Sequence, residues 1–334
     1  MLIHTPTQTM TTDISVTTQM VLPVETMSAI TEAISASKRP NTLQAYQSDL
    51  AQFGQWCSGH GWSALPAQPE MVAAYLVEQR HHLKLTTLRR HLATISKAHQ
   101  IAGLPNPCRS PVVTDTVKGL QNMRPEAASR ATAMTPAYLR KVLGGISGGS
   151  LASVRDRALL LTGWCSALRR SEVAGLRWGD VQWLPDGVVL TVMGSKTDKT
   201  GTGQQTPLAT EPKAVKVCPV KALRAWHEAI SAISPELVKG DQPVFRQVTR
   251  HGGLGGGMTG HAVNAIISRR GSLVGLDGFT GHSLRRGLAQ AAHAAGVADT
   301  AIMQTTRHKS VAMLRTYQGD AGLLVRAASK GLLS

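Results

Sequence analysis

From residue 41 onward the apolar residues of this 334-residue chain recur almost everywhere at steps of three and four, the spacing that gathers them on one face of an α-helix. Strands do not alternate with these helices, so βαβ units and a doubly wound parallel sheet are excluded. No internal repeat points to a solenoid. In RPNTLQAYQSDLAQFGQWC, Leu43, Tyr46, Leu50, Phe53 and Cys57 make such a face, with Asn41 as the predicted N-cap. PEMVAAYLVEQR follows with Pro69 in a first turn. TTLRRHLATISKAHQIAG then aligns Leu88, Leu92 and Ile95 before Gly103 stops it. PVVTDTVKGLQNM adds a further helix. No strand is expected in this first stretch, which reads as a small helical bundle.

The periodicity lapses over 125–134, PEAASRATAM, and resumes in TPAYLRKVL and VRDRALLLTGWCSAL. One β-like island breaks it. GVVLTVM is β-branched, GSKTDKTGTG is rich in turn residues, and QQTPLA can pair back as a hairpin. Helices return at PVKALRAWHEAISAI, GHAVNAIISRR, SLRRGLAQAAHAAG and SVAMLRTYQ. Residues 1–26 carry eight threonines and neither Lys nor Arg, the composition of a flexible tail. The expected fold is mainly α: a tail over 1–26, a helical bundle over 27–124, a linker over 125–134 and a mixed α domain with a small β-sheet over 135–334.

Charge narrows the partners. Lys and Arg number 36 against 20 Asp and Glu, a net charge of +16. From residue 132 on the balance is 25 against 12. Such a surplus suits a polyanion: DNA, RNA or an anionic membrane face. No run of 18 apolar residues predicts a transmembrane helix. The absence of Lys or Arg before Lys38 argues against a signal or Arg-rich transit peptide. Cys57, Cys108, Cys165 and Cys218 are too far apart for a metal knuckle or a small disulfide scaffold. A reducing cytoplasm is the expected compartment.

Two short motifs lack the setting their chemistry needs. Gly145–Gly149 spells G-x-S-x-G, yet a helix rather than a strand precedes the serine, so it reads as a loop between helices. GGGMTG at 255–260 spells G-x-G-x-x-G without a strand–helix unit around it, and reads as a flexible loop.

A different set fits chemistry on a phosphodiester. Two guanidiniums can hold the non-bridging oxygens as charge builds in the transition state. A nucleophile, a base and an acid complete the requirement. ALRRSEV places Arg169 and Glu172 three apart, where the carboxylate can orient a neighbour. GSKTDKTG puts Lys196, or else Lys199, at a hairpin tip. GHSLRRG sets His282 and Arg285 on one helical face, and TTRHKS and RTY supply His308 and Tyr317. Tyr46 and Tyr75 fall instead on apolar helix faces.

The order Arg, Lys, His-x-x-Arg, His, Tyr resembles that of the tyrosine recombinase (phage integrase) family. The steps of 26 residues from His282 to His308 and 9 to Tyr317 follow the family's pattern. His308 occupies a position that the family fills with His or Trp. The resemblance spans about 40–320, and extends more weakly to QPEMVAAYL and HLATISKAHQIAGLPNP, which look like its helical DNA-clamping (SAM-like) domain. It implies a site-specific recombinase in which Tyr317 attacks the scissile phosphate to leave a 3′-phosphotyrosyl bond and a free 5′-hydroxyl. Arg169 and Arg285 would grip the phosphate, and Lys196, preferred because SKT recurs among integrases, would protonate the leaving oxygen. His282 would handle the tyrosine proton, His308 would bond the phosphate, and Glu172 would support the site. The ester conserves bond energy, so no ATP, metal or other cofactor is expected.

The implied partners are double-stranded recombination sites and three further copies of the chain. The apolar stripe Leu323, Leu324, Ala327, Ala328, Leu332 and Leu333 would be exchanged between subunits as a C-terminal helix of a tetramer. Accessory directionality factors and a nucleoid location would go with it. Phosphate contacts are expected from Arg89, Arg90 and Lys97 on one helix and from Arg269 and Arg270 on another. Two other readings compete. A type IB topoisomerase would relax DNA without exchanging strands, and a non-catalytic helical DNA-binding regulator would leave the ordered site residues unexplained.

Overall fold

Helix α1 (Pro40–Gly59) starts on a proline, whose fixed φ suits a first helical turn, so the helix includes Asn41 rather than being capped by it. The computed structural model describes residues 40–123, 131–193, 203–211, 217–308, 310, 311 and 314. Two compact units emerge, Met1–Ala128 and Ser129–Ser334.

In the first unit α1 is joined by α2 (Pro69–Gln79), α3 (Leu85–Ile101) and α4 (Pro111–Met123). Their apolar faces meet at Phe53, Val72, Tyr75, Leu76, Leu88, Ile95 and Val113. Phe53 and Tyr75 pack edge to face with centroids 5.1 Å apart, an arrangement the ring quadrupoles favour. Leu50, expected on the inner face, is 38% exposed. Asp49 takes its place, because four-residue steps back from Cys57 and Phe53 lead to Asp49 and α3 supplies its partners. Arg90 donates to the Asp49 carboxylate through Nε (2.9 Å) and Nη2 (2.7 Å), and Thr94 through its hydroxyl (3.2 Å). His91 Nε2 lies 3.1 Å from the same carboxylate, and its Nδ1 lies 2.7 Å from the Tyr75 hydroxyl. Burial, then Asp49 and Cys57, push the Tyr75 phenol up to about 12.

The second unit is built around α6 (Leu151–Cys165), preceded by α5 (Pro136–Gly144) and followed by the short α7 (Arg170–Gly175). Six consecutive residues of α6, Ala158–Gly163, are buried, the mark of a helix covered on all sides. Next comes an antiparallel sheet in the order β1 (Val181–Leu184), β2 (Gly187–Val192), β3 (Gln204–Ala209). Val188, Leu190 and Val192 alternate inward, and Leu190 pairs with Val181 on one side and Thr206 on the other. Strands β2 and β3 are the predicted hairpin; Lys196 and Lys199 of its loop lie outside the described residues. Strand β1, only four residues long, has no alternation long enough to read.

Helix α8 (Pro219–Ile233) packs on α6, followed by strands β4 (Arg246–Val248) and β5 (Leu254–Gly257). Strand β5 corrects an expectation: Gly255–Gly257, expected in a flexible loop over 255–260, belong to a strand that pairs antiparallel with β4. Glycine carries no strand preference of its own, so only the partner strand sets this conformation. Helices α9 (Gly260–Ser272), α10 (Gly281–Ala294) and α11 (Asp299–Thr306) follow. Helix α10 lies tightly on its surroundings: a Cβ at Gly287 would come within 1.8 Å of the Met134 carbonyl oxygen. Met134, placed in the linker by its sequence, is fully buried, and its N–H donates to Ser283 O at 2.9 Å. Among the described residues no helix is long and apolar enough to cross a membrane. The segment Gly145–Gly149 is the turn between α5 and α6, without a preceding strand.

Candidate active site

The site forms where the start of α7, the start of α10 and the residues after α11 come together. After α6 the chain turns through Ala167, whose φ is +49°, and reaches Arg169 directly before α7. Glu172, on the first turn of α7, accepts from the Arg169 backbone N–H (2.8 Å) and from Arg169 Nη1 (2.5 Å). The ALRRSEV spacing thus works as read: the carboxylate folds back and holds the guanidinium. Helix α10 approaches closely because its first residue is glycine. A Cβ on Gly281 would lie 2.7 Å from Arg170 Cβ.

Arg285, one turn into α10, is 1% exposed and donates through Nη1 to the Ala167 carbonyl at 2.9 Å. His282 stands at the exposed start of the same helix. Loss of water on its inner side, then the Arg285, Arg286 and Arg169 guanidiniums, hold its imidazole below the ordinary histidine range. His308 is 8% exposed, with Nδ1 2.8 Å from the Thr306 hydroxyl. Burial first, then Arg285, Arg169, His282 and Arg307, drive it down to about 4. Both histidines are therefore neutral at pH 7 and able to accept a proton or a hydrogen bond.

Arg169, Glu172, His282, Arg285 and His308 are thus gathered from stretches up to 139 residues apart. Tyr317 and Lys196 lie outside the described residues. The sequence reading missed Arg307, whose Nη2 donates to Glu172 Oε2 at 2.6 Å. A lone Arg beside a His carries no local signal of such a role. Two guanidiniums, Arg169 and Arg307, share the Glu172 carboxylate, and a third, Arg285, is held by the Ala167 carbonyl. The site is left strongly cationic, a setting for an anion with several oxygens. A cleft of about 770 Å³ opens beside it, lined by Gln204, Gln205, Thr300, Gln304, Arg307 and His308 among others.

The expected DNA contacts differ from one another. Arg89 bonds Gln121 and Lys97 bonds Gln100 on exposed surface. Arg90 is half exposed but forked onto Asp49. Arg269 is 58% exposed at 3.4 Å from Asp156, whereas Arg270 is 13% exposed with Nε 2.7 Å from that buried carboxylate.

The phage integrase family model matches residues 134–321, and the model for the phage integrase N-terminal SAM-like domain matches 31–103. The chain belongs to the phage integrase family. An integrase/recombinase XerD homolog of Selenomonas ruminantium is 32% identical over 292 residues, 85% of this chain and 83% of that protein. Recombinase Cre of Escherichia phage P1 is 24% identical over 317 residues, covering 87% and 88% of the two chains. The fold matches that of the XerH site-specific recombinase bound to a palindromic difH substrate, with TM-score 0.61 and 18% identity over 86% of this chain and 79% of that one. As an integrase-family member the chain is a tyrosine recombinase, an enzyme that cleaves and rejoins DNA strands.

Proposed function

We propose that this chain recombines double-stranded DNA at specific sites, with Tyr317 as nucleophile. Its hydroxyl oxygen attacks the scissile phosphorus; the P–O5′ bond breaks and a 3′-phosphotyrosyl ester forms. His282, neutral at pH 7, takes the tyrosine proton, and Lys196 delivers one to the leaving 5′-oxygen. Arg169 and Arg285 bind the non-bridging oxygens, His308 bonds a third position on the phosphate, and Glu172 holds Arg169 in place. A free 5′-hydroxyl of the partner strand then reverses the step and releases the tyrosine.

The observation that carries this reading is the gathering of Arg169, His282, Arg285 and His308 in one site, with Glu172 bonded to Arg169, in the chain order of the family. Tyr75 is no rival nucleophile, because it is 1% exposed and bound to His91. Arg89, Lys97 and Arg269 supply exposed phosphate contacts, with Arg90 and Arg270 contributing beside their carboxylates.

Assembly on DNA would use the C-terminal apolar stripe, which lies outside the described residues. An apolar pocket of about 330 Å³, lined in part by Trp164, Leu288, Ala292, Val297, Ala301 and Ile302, is a fitting receptacle for it in a neighbouring subunit. Passed head to tail, that contact closes a ring of four. The enzyme would act at the nucleoid, with directionality factors setting the outcome.

The test is incubation with DNA followed by SDS denaturation. A recombinase leaves covalent protein–DNA adducts at its own site, whereas a regulator leaves none. Tyr317→Phe should abolish adducts and keep DNA binding; adducts that persist in Tyr317→Phe exclude it as nucleophile. Truncation after Asp320 should keep monomeric binding and lose cooperative filling of a second half-site.

A further inference from the structure

Arg307 has a backbone that ordinarily belongs to glycine. It follows the last turn of α11 with φ +55° and ψ +41°, the left-handed conformation in which a side chain is unfavourable and Gly or Asn is the usual choice. Its side chain is nevertheless buried, 3% exposed, with Nη2 on Glu172. Two further nitrogens, Nε and Nη1, have no hydrogen-bond partner among the described residues. Buried charged donors left unpaired are costly, and an observed backbone outlier of this kind is a pointer to function. The same residue lines the cleft beside His308, together with Gln204, Gln205 and Gln304. Each of these facts calls for an oxygen-rich anion next to Arg307.

We propose that Arg307 is a third phosphate-binding guanidinium of the active site, offering its remaining N–H donors to a DNA phosphodiester while Nη2 braces Glu172 and, through it, Arg169. This rests on the active-site reading above and adds to it a catalytic residue outside the ordered set. The arrangement makes the strained position worthwhile: a glycine would fit the backbone better but would leave Glu172 with one cation and the phosphate with two.

That backbone preference also supplies the test. Arg307→Gly relieves the φ +55° conformation, which offsets part of the loss of its buried pair with Glu172. A melting temperature and circular dichroism spectrum like the wild type's show that a loss of affinity reports binding rather than folding. The full chain and its variants are titrated calorimetrically with inorganic phosphate. Charge-assisted hydrogen bonds of this kind predict an affinity about 10-fold weaker or more in Arg307→Gly, with Arg307→Lys in between. Arg285→Ala is the reference for the site itself. Arg307→Gly binding within about twofold of wild type while Arg285→Ala binds weakly overturns the inference alone. No uptake by the wild type, or none lost in Arg285→Ala, overturns the active-site reading and the inference with it. Should Arg307→Gly fail to fold, the Arg307 Nε–H resonance of the wild type, assigned by its loss in Arg307→Lys, decides. It should move on phosphate addition, and a resonance that stays in place overturns the proposal.

Discussion

The Ala167 carbonyl accepts a 2.9 Å hydrogen bond from Nη1 of Arg285, although the two residues lie 118 apart in the chain. A main-chain oxygen thereby anchors a guanidinium that is 1% exposed. Lysine keeps the charge but has one compact ammonium, which cannot serve the carbonyl and a phosphate together. Arg285→Lys should slow adduct formation by about 10²-fold or more, with helix content unchanged by circular dichroism. Wild-type rates in Arg285→Lys would falsify its assignment to the phosphate.

Acid should destabilise the second unit through His308. Its folded pKa of about 4 lies below the ordinary value near 6.5 for an unfolded chain. Between those values the unfolded state binds more protons, so this contribution is complete above pH 6.5 and is lost as pH falls toward 4. The loss amounts to at most about 3 kcal/mol. Urea unfolding at pH 7 and pH 5 should show it in wild type and much less of it in His308→Asn. Equal pH dependence in both chains would place the titrating group elsewhere. His282 shifts in the same direction, so adduct formation should hold level from pH 7 down to the ordinary histidine range.

In the first unit Asp49 is the polar centre of the bundle. Asp49→Asn weakens the fork to Arg90 and removes the carboxylate facing His91, a change expected to cost about 3 kcal/mol, as for other broken buried pairs. Tyr75→Phe loses only the hydroxyl and should cost about 1 kcal/mol. Denaturant midpoints for the two variants check the ranking, and a reversed order would shift the weight of the network from Asp49 to Tyr75.

Arg269 and Arg270 share Asp156 but should separate on mutation. Arg269 is 58% exposed, so Arg269→Ala should flatten the slope of log K against log salt by about one on plasmid DNA. Its folding stability should hardly change. Arg270 is 13% exposed and bonded at 2.7 Å, so Arg270→Ala should instead lower stability by about 2 kcal/mol. A salt slope left intact by Arg269→Ala removes it from the DNA contacts.

Helices were legible wherever an apolar stripe recurred over three turns, as in α3 or α8, because burial of one face imposes that spacing on the sequence. The ordered Arg, His-x-x-Arg and His positions were legible for a similar reason: each has its own local motif, and together they match a family. Asp49 was not, since a carboxylate on an apolar face reads as an interruption until Arg90 and Thr94 come from another helix to satisfy it. Strand β5 was not, since Gly255–Gly257 take their conformation from β4. Arg307 was not, since nothing beside it in the chain reveals either its left-handed backbone or the carboxylate 135 residues earlier. The sequence by itself determined the helical patterning, the basic surplus and the order of the site residues, which are properties of residue type and spacing. Only the tertiary structure decided which charges meet, because ion pairing and burial depend on distances between segments that spacing along the chain does not encode.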